Sequence, residues 1–102
     1  MAIKSFTHKG LETFYYDGST AGINHQHRNK LARILDAIEA SHHPDDLRSI
    51  YHHRFGEKKG AGKGVFSIEV NGNWRVTFEI KNEGAVFLDY LDYHGKNIVA
   101  RS

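Results

Sequence analysis

The chain has no cysteine, a single proline (Pro44) and no long apolar run. The lack of cysteine excludes disulfides and thiolate metal sites. A membrane-spanning helix needs roughly 18 or more consecutive apolar residues, and the sequence contains no such run. The first ten residues lack the apolar segment of a secretory signal peptide. From these absences we expect a cytoplasmic protein that has no contact with a membrane.

The chain also lacks a large excess of either charge, because it has 14 basic and 12 acidic residues and a net charge of +2. Such a weak basic bias does not by itself indicate a nucleic-acid partner. Hydrophobic residues make up 39% and aromatic residues 12% of the 102 positions, which is typical of a folded globular protein. The length predicts one domain over residues 1–102, with 95–102 as a C-terminal extension.

The clearest local pattern predicts a β-hairpin between Gly64 and Ile80. Apolar and polar residues alternate on both sides of Asn71-Gly72, a dipeptide typical of tight hairpin turns. Alternation places one set of side chains on an apolar face: Phe66, Ile68, Val70, Trp74, Val76, Phe78 and Ile80. It places another set on a polar face: Ser67, Glu69, Arg75, Thr77 and Glu79. A guanidinium on a rigid strand, such as that of Arg75, is well placed to hold phosphate.

The rest of the chain predicts an α+β protein with two N-terminal helices packed on one face of a curled, mainly antiparallel sheet. The helices are expected over 9–16 and 24–41, the second with a buried stripe of Leu31, Ile34, Leu35 and Ile38. Pro44 is expected to end this region, and 45–50 to form a helical turn or a loop. Strands are expected over 2–6, 51–55, 65–70, 74–81 and 85–91. The opposite face of the sheet is expected to stay partly open, and the last residues to form a frayed tail or a peripheral extension.

Two segments carry candidate chemistry beside Arg75. Residues 52–63 hold four cations and two histidines, and the last strand ends in Asp92, Tyr93 and His94. If the strands form a meander, Arg75, Lys59, Tyr93 and His94 meet at one site that binds phosphate and titrates near neutral pH. If the phosphate belongs to RNA, its cleavage without a metal has four requirements. The 2′-hydroxyl must lie in line with the phosphate, and a group must accept its proton. Cations must stabilise the phosphorane, and a group must donate a proton to the departing 5′-oxygen.

Other interpretations of these residues stay open. Arg75 could form a surface ion pair with Glu69 or Glu79, and the basic stretch could be a solvated loop. Eight histidines raise the question of a metal, but no carboxylate lies at convincing ligand spacing beside their pairs. We therefore expect no metal and no cofactor.

Several segments together resemble the HigB branch of the RelE/ParE toxins of bacterial toxin–antitoxin pairs. They run in the family's order and reach His94: Ile3–Leu11, Gly18–Ile23, Lys30–Leu35, Ser67–Phe78 and Asp89–His94. The resemblance implies a RelE-like, microbial-ribonuclease-type fold and an endoribonuclease that cuts mRNA in the decoding site of a translating ribosome. It implies these catalytic residues: Lys59, Arg75, Asp92, Tyr93 and His94. We add these as candidate RNA-binding residues: Arg54, Lys58, Lys63 and Ser67.

By the same resemblance, Arg75 and Lys59 would stabilise the phosphate, His94 would transfer protons and Tyr93 would stack on a base or position the phosphate. Asp92 would orient His94 or contact a base. The chain departs from the family at Gly56, where relatives commonly carry a histidine.

The resemblance also implies a HigA-like helix-turn-helix antitoxin as partner. The protein would bind operator DNA only through this antitoxin. Two alternatives remain: a non-catalytic, ParE-like gyrase inhibitor, and an interaction protein that acts mainly through antitoxin binding.

Overall fold

The predicted hairpin lies in the middle of a five-stranded sheet. The structure is a computed structural model that describes residues 1–93 and 98–102. The strands are β1 (Ala2–Ile3), β2 (Phe55–Glu57), β3 (Phe66–Asn71), β4 (Trp74–Lys81) and β5 (Gly84–Asp92). They follow the order β1-β5-β4-β3-β2, with β1 parallel to β5 and the other neighbours antiparallel. The expected α+β fold with a mainly antiparallel sheet is therefore confirmed.

Among the described residues three α-helices, one more than predicted, pack against this sheet. They are α1 (Lys9–Asp17), α2 (Arg28–Ala40) and α3 (Pro44–Tyr51). The predicted stripe of α2 is buried, because apolar side chains at helical spacing share one face that packs on the sheet. On the other side of the core, four hairpin side chains are fully buried: Ile68, Val70, Val76 and Phe78.

Pro44 begins α3 instead of only ending the preceding helix. A proline fits the first turn of a helix, where its missing N–H has no intrahelical partner. The His43 imidazole accepts a hydrogen bond from the Asp45 N–H (3.1 Å), and the Asp46 carboxylate accepts one from the His43 N–H (3.1 Å). The strand predicted over 51–55 is wrong, because Tyr51 ends α3 and a 3₁₀ turn follows before β2.

Two local irregularities set the strand register. The hairpin turn is formed by Gly72 and Asn73, one residue later than predicted, because Asn71 still pairs with Trp74. In β5 an extra residue is inserted between the pairs Thr77–Asp89 and Glu79–Val86, and Phe87 there adopts a positive φ of 55°. Such a bulge bends a strand and increases its twist, which curls the sheet.

The polar face of the sheet is covered more than the sequence indicates. Ser67, Thr77 and Glu79 are only 4–5% exposed. Residues 98–102, which we call the strap, lie across this face and line a small cavity with Thr77, Glu79 and other side chains of β4 and β5. In this segment the strap is packed on the sheet rather than frayed, and the part of the polar face beneath it is covered. The rest of the predicted extension, 95–97, lies outside the described residues.

No helix within the described part of the chain is both long enough and apolar enough to cross a bilayer.

Candidate functional site

Arg75 and Tyr93 meet at one end of the polar face. Arg75 is paired with Leu91 across β4 and β5, and Tyr93 follows two residues later, so both side chains project from the same face. The Tyr93 N–H donates to the Asn73 carbonyl over 2.8 Å, which fixes Tyr93 beside the hairpin turn. The Arg75 guanidinium carbon lies 5.8 Å from the centre of the Tyr93 ring.

The Arg75 guanidinium folds back over the hairpin turn. Its Nη1 donates to the Gly72 carbonyl (2.5 Å) and the Trp74 carbonyl (3.1 Å), and its Nη2 lies 3.8 Å from Glu69 Oε1. The ion pair with Glu69 that the sequence allowed is therefore present. It is loose and partly exposed, so it is a weak competitor for a phosphate, whose oxygens can accept two parallel hydrogen bonds from a guanidinium.

A second cation approaches Tyr93 from the basic loop, residues 58–63. The Lys58 N–H donates to the Val65 carbonyl (2.8 Å), and the Lys58 ammonium lies 4.0 Å from the centre of the Tyr93 ring. Together with Lys59 these residues line an open groove, which we call the Tyr93 groove. Its other lining residues are Ala61, Gly62, Ile98 and Val99.

The structure thus brings four predicted residues to one place: Lys58, Lys59, Arg75 and Tyr93. Lys63 is exposed and lines a neighbouring depression with Lys58 and Lys59. Ser67 lies on the same face, but it is 5% exposed in this conformation and its contact with RNA stays a prediction.

Two predicted residues are not brought into this cluster. Arg54 donates to the Glu69 and Val70 carbonyls (2.8 and 3.2 Å) and lines a groove between α2 and α3. Asp92 pairs with Trp74, and alternation puts it on the side of Tyr90 rather than that of Tyr93. His94, the predicted proton-transfer residue, lies outside the described residues.

Gly56 leaves space on the polar face. It pairs with Ser67, and because Phe55 beside it is buried among the core residues, a side chain at position 56 would project to the polar side. A Cβ built on Gly56 would meet nothing within 4 Å. Position 56, where the resemblance leads us to expect a histidine, is therefore accessible but carries no functional group.

Sequence reasoning missed the strap as a wall of the Tyr93 groove, because the strap contains no periodic pattern. It also treated Glu79 as an ordinary polar-face residue. Burial raises the pKa of the Glu79 carboxyl, but hydrogen bonds from Ser102 and Arg101 lower it by more, and the pKa lies below its ordinary value. This carboxylate is charged and is held by the strap.

The chemistry of the groove suits a phosphate next to an unpaired base. Two ammonium groups and a guanidinium can neutralise phosphate oxygens, and an aromatic ring gives a base a surface on which to stack. Within residues 1–93 and 98–102, no three His, Asp or Glu side chains are grouped as metal ligands.

Comparison with known proteins decides the family. A family model described as the RelE-like toxin of the type II toxin-antitoxin system HigB matches residues 4–94. The chain belongs to the HigB-like toxins. Its relatives include a protein of Proteus vulgaris named endoribonuclease HigB, which is 40% identical over 93 residues, or 90% of this chain and 99% of the relative.

A second HigB-like relative, from Vibrio cholerae serotype O1, is named toxin HigB-1. It is 36% identical over 90 residues, which cover 87% of this chain and 94% of the relative. The resemblance inferred from the motifs is confirmed. Membership of a type II toxin–antitoxin family implies that this HigB-like chain has an antitoxin partner.

Proposed function

We propose that this protein is the toxin of a type II pair and acts as an endoribonuclease that cleaves translated mRNA on the ribosome. The observation that carries the proposal is the Tyr93 ring, which lies 4.0 Å from the Lys58 ammonium and 5.8 Å from the Arg75 guanidinium carbon. A stacking surface with two cations close to it matches one base and its phosphate. The name of the relative from Proteus vulgaris supports the same activity.

In this mechanism the ribose 2′-oxygen loses its proton and attacks the adjacent phosphorus, and the bond from phosphorus to the 5′-oxygen breaks. Arg75 and Lys59 neutralise the charge that accumulates on the phosphoryl oxygens. Tyr93 stacks on a base and holds it beside the scissile bond. His94 is proposed to exchange protons with the reacting oxygens, and Asp92, which alternation puts on the side away from Tyr93, to orient His94.

The proposed partners follow from this activity. The small ribosomal subunit presents the mRNA in its decoding site, and a HigA-like helix-turn-helix antitoxin neutralises the toxin and contacts operator DNA. The proposed location is the cytoplasm, where translating ribosomes are found.

Primer extension on mRNA from induced cells tests the activity. The parent protein is expected to produce cuts within translated frames and to stop growth. Arg75→Ala is expected to lower cleavage by about 100-fold or more, because the developing phosphoryl charge loses a preorganised donor. Arg28→Ala is the matched control. It removes an exposed guanidinium that contacts His25 and lies outside the candidate site. Intact mRNA and normal growth on induction of the parent would reject the nuclease.

Gly56 supplies no side chain for proton transfer, and this favours testing one alternative, a toxin that does not cleave RNA. A non-catalytic toxin that inhibits gyrase would leave ribosome-bound mRNA intact and block DNA supercoiling by purified gyrase. We expect the opposite result in both assays.

A further inference from the structure

The strap is joined to the basic loop by backbone contacts. The Ala100 N–H donates to the Ala61 carbonyl over 3.0 Å. The Ile98 carbonyl passes directly over Gly62, where a built Cβ would lie 2.6 Å from the Ile98 oxygen. Only a glycine permits this approach, because real Cβ atoms do not come so close to a backbone oxygen. The loop and the strap are therefore shaped to fit each other.

The strap is joined to the sheet through a buried carboxylate. Glu79 accepts hydrogen bonds from the Arg101 N–H (2.7 Å) and the Ser102 N–H (3.2 Å), and also from the Ser102 hydroxyl. Arg101 Nη2 lies 4.0 Å from Asp89 Oδ2. A buried charge needs such partners, so the contacts at Glu79 fasten the strap to the polar face.

These contacts change what a ligand meets on the polar face. Without the strap, Glu79 and Asp89 would face the ligand as two carboxylates and would repel an RNA backbone. With the strap in place Glu79 is covered, Asp89 has a guanidinium beside it, and Ile98 and Val99 form a wall of the Tyr93 groove.

We infer that the strap is a positioning element of the RNA site, which holds the basic loop beside Tyr93 and shields two carboxylates from the RNA backbone. The inference rests on the proposed function for its ligand. The strap does not close over the site. With the strap in place, the Tyr93 groove is open to solvent and Tyr93 is partly exposed.

The test loosens the strap in the full-length chain with Ala100→Pro, which removes the N–H that bonds to Ala61. Ala100→Ser keeps that N–H and is the matched control. Glu79→Gln, which loses the charge and one acceptor oxygen at the other end of the strap, is a second variant. Amide hydrogen exchange at Gly62 and Lys63, whose N–H groups are bonded within the loop, reports how well the loop is held without reference to function.

The second readout is affinity for a short single-stranded RNA, measured by fluorescence anisotropy. We expect Ala100→Pro to speed hydrogen exchange in the loop. It should also weaken RNA binding about fivefold, which corresponds to the net free energy of one hydrogen bond. Ala100→Ser is expected to match the parent in both measurements. Adding Asp89→Asn to Ala100→Pro is expected to restore part of the affinity, since it removes one unshielded carboxylate. Shielding predicts a smaller gain from Asp89→Asn in the parent, where Arg101 lies beside that carboxylate, whereas a role confined to stability predicts equal gains in both backgrounds.

Two results overturn the inference. Unchanged exchange in Ala100→Pro and Glu79→Gln shows that the strap does not hold the loop. Faster exchange with equal or tighter RNA binding shows that the strap is passive or acts as a cover. A parent protein that neither binds nor cleaves RNA instead overturns the proposed function, and the exchange data then still show whether the loop depends on the strap.

Discussion

At the scale of single residues, the ring of Tyr93 does more than its position at a strand end suggests. It is fixed by its own backbone N–H at the hairpin turn and lies close to the side-chain charges of Lys58 and Arg75. A ring face attracts cations, so Tyr93 helps to hold both charges in place before any ligand binds. Preorganised charges of this kind need little rearrangement when they bind phosphate.

The ring and the hydroxyl of Tyr93 can be separated by substitution. Tyr93→Ala is expected to weaken binding of single-stranded RNA about tenfold or more, because a base loses its stacking surface. Tyr93→Phe keeps the ring and is expected to stay within about threefold of the parent. Fluorescence anisotropy measures both, and equal affinities for the parent and Tyr93→Ala would show that no base stacks there.

The open space at Gly56 predicts a gain of function. Gly56→His places an imidazole on the polar face opposite Ser67, and a general acid or base at a reacting oxygen contributes about 100-fold or more. Cleavage of ribosome-bound mRNA is expected to become faster than in the parent, and its pH dependence to change because a second imidazole, with an ordinary pKa of about 6.5, takes part beside His94.

Gly56→Asn adds a polar side chain without a titrating group and is the control for this variant. A rate for Gly56→His that equals the rate for Gly56→Asn at every pH would show that an imidazole at this position does not transfer protons.

At the scale of the elements, α2 is joined to the sheet by a buried histidine. His27 precedes α2 and is 3% exposed, and its Nδ1 lies 2.7 Å from the Tyr90 hydroxyl. Burial, with a smaller effect from the charge of Lys30, lowers the pKa of His27 below its ordinary value of 6.5. The folded protein therefore favours the neutral imidazole.

Linkage makes this contact dependent on pH. The stabilisation from neutral His27 is fully present above pH 6.5 and is lost as the pH falls through the lower pKa of the folded state. The free energy of unfolding, from urea titrations between pH 7.5 and about 5, is expected to decrease for the parent. The decrease should be smaller for His27→Gln, and identical pH dependences would contradict a buried neutral His27.

Elements with a strong period were predictable, since the stripe of α2 and the alternation of β3 and β4 each repeat along a continuous segment. Helix α3 was not, because Pro44 is compatible both with the end of one helix and with the first turn of another. Its N-terminal cap is the imidazole of His43, a residue outside the usual set of capping side chains.

The site was predictable where it depends on strand alternation, as for Arg75 and Tyr93. The contact of Lys58 with Tyr93 depends on the path of an irregular loop, which no periodicity encodes. The bond between Glu79 and Arg101 joins residues 22 positions apart and leaves no local pattern in either segment. The strap could therefore be recognised only from coordinates.

At the scale of the whole molecule, the small net charge of +2 conceals an uneven distribution. Lys58, Lys59, Lys63 and Arg75 lie in or beside the Tyr93 groove, while Glu79 and Asp89 lie under or beside the strap. The protein thus presents a local positive surface to a ligand although its overall charge is nearly balanced. A polyanion is attracted to such a surface by local contacts, which salt weakens.

The dependence of RNA affinity on salt concentration measures how many of these cations contact phosphates. If four cations contact phosphates of single-stranded RNA, the slope of log K against log salt concentration is about −3, and Lys59→Gln makes it shallower by about 0.7. Lys30→Gln, an exposed charge on α2, is expected to leave the slope unchanged. A slope near zero for the parent would exclude binding through phosphates.

The strand order has a consequence for synthesis of the protein. β5 is the last strand that the structure describes, yet it lies between β1 and β4, so Ala2 and Ile3 have no strand to pair with until residues 84 and 85 have been made. Tyr93 comes later still. A nascent or prematurely terminated polypeptide that stops before β5 has an incomplete sheet and lacks the aromatic surface for RNA. The proposed toxicity therefore arises only when translation of this chain has passed β5 and Tyr93.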